Sequence, residues 1–125
     1  MLRKSTIVGI VLAVGAMATT GAVAKDKEYA VGAIAVDVSK PDRDPAYGIG
    51  GGDTEDEANT NAMKFCAEAG GEHCKTVVTY PECGAYAAGK KGGGWGMNTT
   101  KATAEAKAMS GCDEDSCKIV VSDCN

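Results

Sequence analysis

The sequence predicts an α+β fold: an internal duplication of two strand-strand-helix-strand units, related by pseudo-twofold symmetry and stabilised by disulfides. Three observations predict it, namely a phrase that occurs twice, ordered matches between the two halves, and an even number of cysteines. The phrase CKTVVTYPEC at residues 74–83 returns as CKIVVSDC at residues 117–124. A repeated phrase of this kind indicates two copies of one supersecondary unit.

The matches between the halves keep one order along the chain. Residues 48–50 (GIG) match residues 94–96 (GWG), and Cys66 matches Cys112 at the same offset. Insertions and deletions are needed only in the predicted loops. We therefore expect two repeats, at about residues 29–83 and 84–124, which share one sheet system.

Residues 1–24 have the pattern of a secretory signal peptide. Arg3 and Lys4 precede an apolar run, and Ala22-Val23-Ala24 forms a small-x-small cleavage site. We expect cleavage after Ala24 and a mature chain, residues 25–125, that folds as a single domain. No second apolar segment follows, so we expect no stable membrane insertion and a secreted or periplasmic location.

The first unit begins with an apolar strand at residues 30–36, followed by a glycine-rich turn and a short strand. Thr54 and Glu57 have the spacing of a capping box, with Thr54 as the N-cap. Gly70-Gly71 ends the helix, and apolar residues 76–80 predict a closing strand. The apolar face of the helix is predicted to hold Ala58, Ala62, Phe65, Cys66 and Ala69.

The second unit repeats these signals. Thr100 caps a helix that Gly111 ends, and residues 119–121 predict the closing strand. The matching helical face holds Ala104, Ala108, Met109 and Cys112.

All 6 cysteines lie in the mature chain, which predicts a disulfide framework in an exported protein. In each repeat two cysteines join the end of the helix to the start of the following strand, and a pseudo-twofold relation brings the two remaining cysteines together. The expected pairs are Cys66–Cys74, Cys112–Cys117 and Cys83–Cys124.

The charge balance restricts the classes of partner. Removal of Arg3 and Lys4 from the 13 basic residues leaves 11, against 17 acidic residues, so the mature chain has a net charge of 11 − 17 = −6. This acidic balance argues against nucleic acid or an anionic membrane as a partner. It favours a basic partner surface.

Five segments together resemble the domain-of-unknown-function family 4189, a set of small exported bacterial proteins. They are YAVGAIAVD at residues 29–37, DEA at residues 56–58, CAEAGGEHCKTVVTYPECGAYAAG at residues 66–89, AEAKAMSGC at residues 104–112, and CKIVVSDC at residues 117–124. The resemblance implies an exported, disulfide-bonded domain with no established catalytic site. Some actinobacterial members of that family are regarded as effectors that act on host cells.

Residues that could carry chemistry are few. A thiol nucleophile at Cys74 with His73 as its base would require a free thiol, whereas the repeat predicts a disulfide at Cys74. No ligand spacing predicts a metal site, and the acidic loop at residues 113–115 is expected to be solvated. Negative charge around residues 53–57 opposes phosphate binding at the glycine-rich segment, whose glycines are expected to serve tight turns or positive φ angles. We expect no catalytic residue, no metal and no cofactor.

Trp95, Lys90 and Lys91 form a candidate partner contact, because tryptophan is enriched at binding hot spots. The alternative is that Trp95 covers one edge of the core, as Ile49 would in the first unit. From these features we expect an exported non-enzymatic binding protein with a protein partner, and a secreted effector is one form of it. The alternatives are a periplasmic inhibitor or immunity protein against a toxin or hydrolase, and a small structural envelope protein.

Overall fold

A computed structural model describes residues 29–125 of the chain, and the predicted signal peptide at residues 1–24 lies outside this range. Six strands and two helices follow one another in the described part. In chain order they are β1 (Val31–Asp37), β2 (Ala46–Gly52), α1 (Glu55–Glu68), β3 (Lys75–Tyr80), β4 (Cys83–Ala88), β5 (Gly93–Asn98), α2 (Lys101–Cys112) and β6 (Lys118–Cys124).

The strands form two separate antiparallel sheets, with the orders β2-β1-β3 and β5-β4-β6. The predicted α+β class is confirmed, whereas the expected single sheet system is wrong. Pro81 and Glu82 carry the chain from β3 in one sheet to β4 in the other. Only β1 and β4 are central strands, so the closing strands β3 and β6 lie at sheet edges.

The two sheets pack face to face, and one helix covers the outer face of each. Side chains alternate across a strand, so Ile34 and Val36 face the other sheet while Ala33 and Ala35 face α1. The inner core joins both sheets and consists of Ile34, Val36, Val78, Tyr80, Tyr86 and Val121. The layers therefore run helix, sheet, sheet, helix. The large side chains of the central strands, Ile34, Val36 and Tyr86, lie between the two sheets.

The seam between each helix and its sheet is built from alanine and glycine. A Cβ atom on Gly48 would lie 2.2 Å from the backbone nitrogen of Cys66, and one on Gly94 would lie 2.2 Å from that of Cys112. The glycines of residues 48–52 belong to β2. Gly48, Gly50 and Gly52 permit this close approach to α1, whereas Gly51 lies against the ring of Tyr29. The expectation that they serve a turn or positive φ angles is wrong; the positive-φ glycine of residues 29–125 is Gly70, beyond α1.

This close approach also changes the predicted helical faces. In α1 the buried side chains are Ala58, Ala62 and Cys66, one row spaced by four residues, whereas Phe65 is 47% exposed. In α2, Met109 is likewise exposed. The seam is too narrow for a large side chain, so these two point to solvent.

The helix ends follow the predicted signals with small shifts. The amide of Glu57 donates to Thr54 Oγ1, while the Glu57 carboxylate accepts from the amide of Asp53 rather than from that of Thr54. Thr100 caps α2 in the same way, through the amide of Thr103. Helix α2 runs one residue past Gly111, and Asp113 ends it in the left-handed conformation.

The two sheets share an irregularity. The register of β1 against β3 shifts between Ile34 and Ala35, which leaves Val77 as an extra residue, and that of β4 against β6 shifts between Tyr86 and Ala87, which leaves Val120. These bulges occupy corresponding places in the repeated phrase. They turn both valines toward one end of the sandwich.

Candidate binding cleft

A cleft of about 880 Å³ opens at the end of the sandwich where both bulges lie. Its walls come from the β1–β2 loop, the β4–β5 loop, and the beginnings of β3 and β6. The volume is within the range of sites that bind small molecules or peptide side chains. Because the repeated phrase places the start of β3 and the start of β6 here, both halves contribute matching residues.

The floor of the cleft is apolar. Val77 and Val120 reach it through the two bulges, and Tyr86 and Ala88 reach it from the central strand β4. Tyr86 is only 6% exposed, and burial raises the pKa of its phenol. An apolar group of a ligand could therefore replace water on this floor.

The rim of the cleft is basic. Six of the nine lysine and arginine residues of the described part line it, whereas the other three, Lys64, Lys101 and Lys107, lie on the helices. The six are Lys40, Arg43, Lys75, Lys90, Lys91 and Lys118. With Asp42 and Asp44, the rim has a net charge of 6 − 2 = +4, although the mature chain is acidic. The cleft therefore attracts anionic groups, in contrast to the basic partner surface that the overall charge of the chain favours.

One rim cation is already paired. Lys118 Nζ lies 2.8 Å from Asp44 Oδ1, in an exposed ion pair, and this hydrogen bond and charge lower the pKa of Asp44. Within residues 29–125, no carboxylate oxygen lies within 4.0 Å of the charged nitrogens of the other five. Those five are available to a ligand.

The loop that carries Lys90 and Lys91 is fixed by the disulfide loop of the second half. The Lys90 amide donates to Ser116 Oγ over 2.8 Å, and the Lys91 amide donates to Glu114 Oε1 over 3.2 Å. The Ser116 hydroxyl also donates to Glu114. The hydrogen bond from Ser116, followed by that from the Lys91 amide, lowers the pKa of Glu114.

A buried carboxylate fixes the corresponding corner of the first half. Asp37, at the end of β1, is 9% exposed and accepts hydrogen bonds from the amides of Ser39, Glu72 and His73, over 2.9, 2.9 and 3.1 Å. Hydrogen bonds from Ser39, foremost its side chain, and from the His73 and Glu72 amides hold the pKa of Asp37 far below its usual range. The start of the β1–β2 loop is thereby tied to the loop closed by Cys66 and Cys74.

All six cysteines are in disulfides, in the three pairs expected from the repeat: Cys66–Cys74, Cys83–Cys124 and Cys112–Cys117. Cys74 therefore offers no thiol to the exposed His73, and the nucleophile hypothesis fails at this residue. Sulfur atoms of Cys112 and Cys117 also lie near Glu114, but they are bonded to each other and supply no thiolate to a metal.

The structure separates the three residues of the partner contact that the sequence predicts. Lys90 and Lys91 line the cleft, whereas Trp95 lies outside it on β5, directly opposite Tyr86. Trp95 is 54% exposed, so it covers the core edge only in part. Sequence reasoning missed Lys75, Lys118 and the two bulge valines, although the repeated phrase CK-x-VV contains all four.

The fold and the cleft define a small disulfide-stabilised α+β domain with a basic cleft of ligand size. Neither helix of residues 29–125 has the length and hydropathy that crossing a membrane requires. The chain belongs to the family described as Domain of unknown function (DUF4189), whose model matches residues 31–124. No match was found among curated proteins or among solved structures.

Proposed function

We propose that this chain is an exported, non-enzymatic binding protein that engages a protein partner through the basic cleft. The single observation that supports this most is the concentration of six of nine described basic side chains around one cleft in an otherwise acidic molecule. Separated charge of this kind is typical of surfaces that steer and orient a partner.

Export is supported by two features of the chain. Residues 1–24 have the pattern of a cleavable signal peptide. The three disulfides require a compartment that keeps cysteines oxidised, such as the periplasm or the extracellular space.

A non-enzymatic role is supported by the state of the reactive side chains. The cysteines are consumed in disulfides, and the single histidine of the chain lies exposed on a loop, outside the cleft. Cysteine and histidine are among the side chains that nucleophilic and general acid–base catalysis use most often, and neither type lines the cleft. The cleft supplies charge and apolar surface instead.

The proposal includes an internal duplication with pseudo-twofold symmetry as the origin of the cleft. It is supported by the identical element order of the halves, the corresponding bulges at Val77 and Val120, and the matching rim positions of Lys75 and Lys118. On this basis the cleft lies where two copies of one unit meet.

The test is affinity capture with three oxidised baits: the mature domain, a cleft variant and a control variant. The cleft variant combines Lys40→Glu, Lys75→Glu and Lys90→Glu. The control combines Lys64→Glu, Lys101→Glu and Lys107→Glu, which makes the same change in net charge on the helices. We expect the cleft variant to retain less than about a tenth of the captured partner and the control to retain most of it.

The sources of the partner separate the possible roles. A saturable partner from host cells alone indicates an effector, whereas a bacterial toxin or lytic enzyme that loses activity on binding indicates an inhibitor or immunity protein. Equal capture by the cleft and control variants would contradict the cleft as the binding surface. If the mature domain is retained in the envelope and captures no saturable partner, the structural alternative is favoured.

A further inference from the structure

We infer that the cleft recognises an acidic segment of its partner that carries an apolar side chain between carboxylates. This inference rests on the proposed function, since it takes the cleft as the surface that binds a protein. It names the chemistry of the recognised segment, which the proposed function leaves open.

The position of the charges indicates what kind of ligand fits. Lys40 and Arg43 approach from the β1–β2 loop, and Lys90 and Lys91 approach from the β4–β5 loop. The apolar floor lies among these segments. A ligand that complements the cleft therefore needs an apolar group at its centre and anionic groups on more than one side.

The amount of charge favours a segment with several carboxylates over a ligand with a single anionic group. The rim carries a net charge of +4, counted from six cations and two aspartates. One carboxylate or sulfonate would neutralise only a quarter of it. Several carboxylates on neighbouring residues of a flexible segment would neutralise most of it, and each added pair strengthens the attraction in the partly desolvated cleft.

A long polyanion such as nucleic acid fits less well. The mature chain carries a net charge of −6, so a polymer that extends beyond the cleft meets a surface of its own sign. A short acidic segment contacts the rim and stops there. The charge separation of this molecule thus selects for a local anionic motif.

The floor accounts for the apolar side chain. Val77 and Val120 are only partly buried and line the cleft beside Tyr86. Covering them with an aromatic or aliphatic side chain removes apolar surface from water on both molecules. The two bulges turn these valines into the cleft, so the floor is a consequence of the repeated phrase.

The experiment is calorimetric titration of the oxidised mature domain with three capped peptides of equal length. The first has the core Glu-Glu-Phe-Glu-Glu, the second replaces Phe by Ser, and the third replaces each Glu by Gln. We expect saturable one-to-one binding of the first, binding weaker by about tenfold or more for the second, and no measurable binding of the third. Binding of the first peptide should also weaken steeply as salt is added.

Two variants test the location of the site. Lys40→Gln with Lys75→Gln should weaken binding of the first peptide by about tenfold, whereas the control pair Lys64→Gln with Lys101→Gln should leave its binding unchanged. Circular dichroism and the melting temperature of both pairs should match those of the unmodified domain, since all four side chains are exposed. Equal effects of the two pairs would place the binding outside the cleft and overturn the inference.

Three further outcomes would overturn it. Equal binding of the Phe and Ser peptides would show that the cleft recognises charge alone and not an apolar side chain. Tighter binding of anilinonaphthalene sulfonate than of any peptide would indicate a small amphipathic anion as the ligand. Absence of peptide binding, with partner capture still lost in the cleft variant, would refute the inference and leave the proposed function intact. If no peptide binds and the cleft variant captures as much partner as the control variant, both the inference and the proposed function are refuted.

Discussion

The two halves of the molecule hold corresponding loops together by hydrogen bonds that run in opposite directions. Each half must tie the loop that follows its first strand to the loop closed by its own disulfide. In the first half, the carboxylate belongs to the strand end, Asp37, and the amides of Glu72 and His73 on the disulfide loop donate to it. In the second half, Glu114 and Ser116 on the disulfide loop accept from the amides of Lys90 and Lys91.

The two ties lie at corresponding positions of the two halves, but the loop that accepts the hydrogen bonds differs between them. Both ties place a loop at the wall of the cleft, one beside Lys40 and the other at Lys90 and Lys91. A hydrogen-bonded corner can be built with the acceptor on either side, provided that the loop amides find a partner. The first tie is also more buried, since Asp37 is 9% exposed and Glu114 is partly exposed.

The largest expected difference concerns the disulfides. Cys83–Cys124 joins residues 41 apart and links the start of β4 to the end of β6, whereas the other two bridges span separations of 8 and 5. Chain entropy predicts losses of about 4, 2.5 and 2 kcal/mol when each pair is replaced by alanine. Urea unfolding of the three double variants measures this order. A larger loss from the pair spanning 5 residues than from the pair spanning 41 would contradict it.

The glycines under the helices should show that the halves are equivalent. Gly48→Ala and Gly94→Ala each place a methyl group 2.2 Å from a helix backbone nitrogen, so helix and sheet must separate. We expect both to reduce the free energy of unfolding by about 3 kcal/mol. Gly92→Ala is the control, because no atom lies within 4 Å of its added Cβ, and it should be nearly neutral. A large loss in one half alone would show that the two seams differ.

The smallest expected difference concerns the two ties, which Asp37→Asn and Glu114→Gln weaken. Both carboxyls have pKa values below their ordinary values of 3.8 and 4.5, so their contribution to stability is complete above those values and is lost as the pH falls through and below them. At neutral pH we expect Asp37→Asn to lower the melting temperature by several degrees and Glu114→Gln by less, because the first is more buried.

Melting curves from neutral to acid pH check this prediction. Each variant should lose stability less steeply in acid than the unmodified domain, because it no longer has the carboxylate that must be protonated. Parallel pH profiles for the variants and the unmodified domain would show that neither tie contributes in this way.

Much of the fold could be predicted from sequence because similar local signals occur twice along the chain. The α+β class, the helix caps at Thr54 and Thr100, and the disulfide pairs follow from local signals that agree between the halves. The arrangement of two sheets could not be predicted in this way. Nothing in a strand pattern tells whether two units join by a sheet edge or by a sheet face.

The cleft could be predicted only in part. Lys90 and Lys91 stand out because they are adjacent, but their companions on the rim come from three other segments of the chain. The bulges that expose Val77 and Val120 depend on the register between strands, which the local sequence does not fix. Phe65 and Met109 were misplaced because an apolar helical face reveals its direction but not how closely the sheet approaches.

The narrow helix–sheet seams have a consequence for mutagenesis. Their buried positions are already occupied by the smallest side chains, among them Ala33, Ala35, Ala85 and Ala87, all with no exposed surface. An alanine scan would therefore skip these alanines and would detect the seams only at their glycines, where an added methyl group meets the helix backbone. These positions tolerate few larger residues, because little side-chain volume can be removed from them and almost none can be added. A scan that introduces valine or leucine would reveal how strongly this surface constrains the sequence.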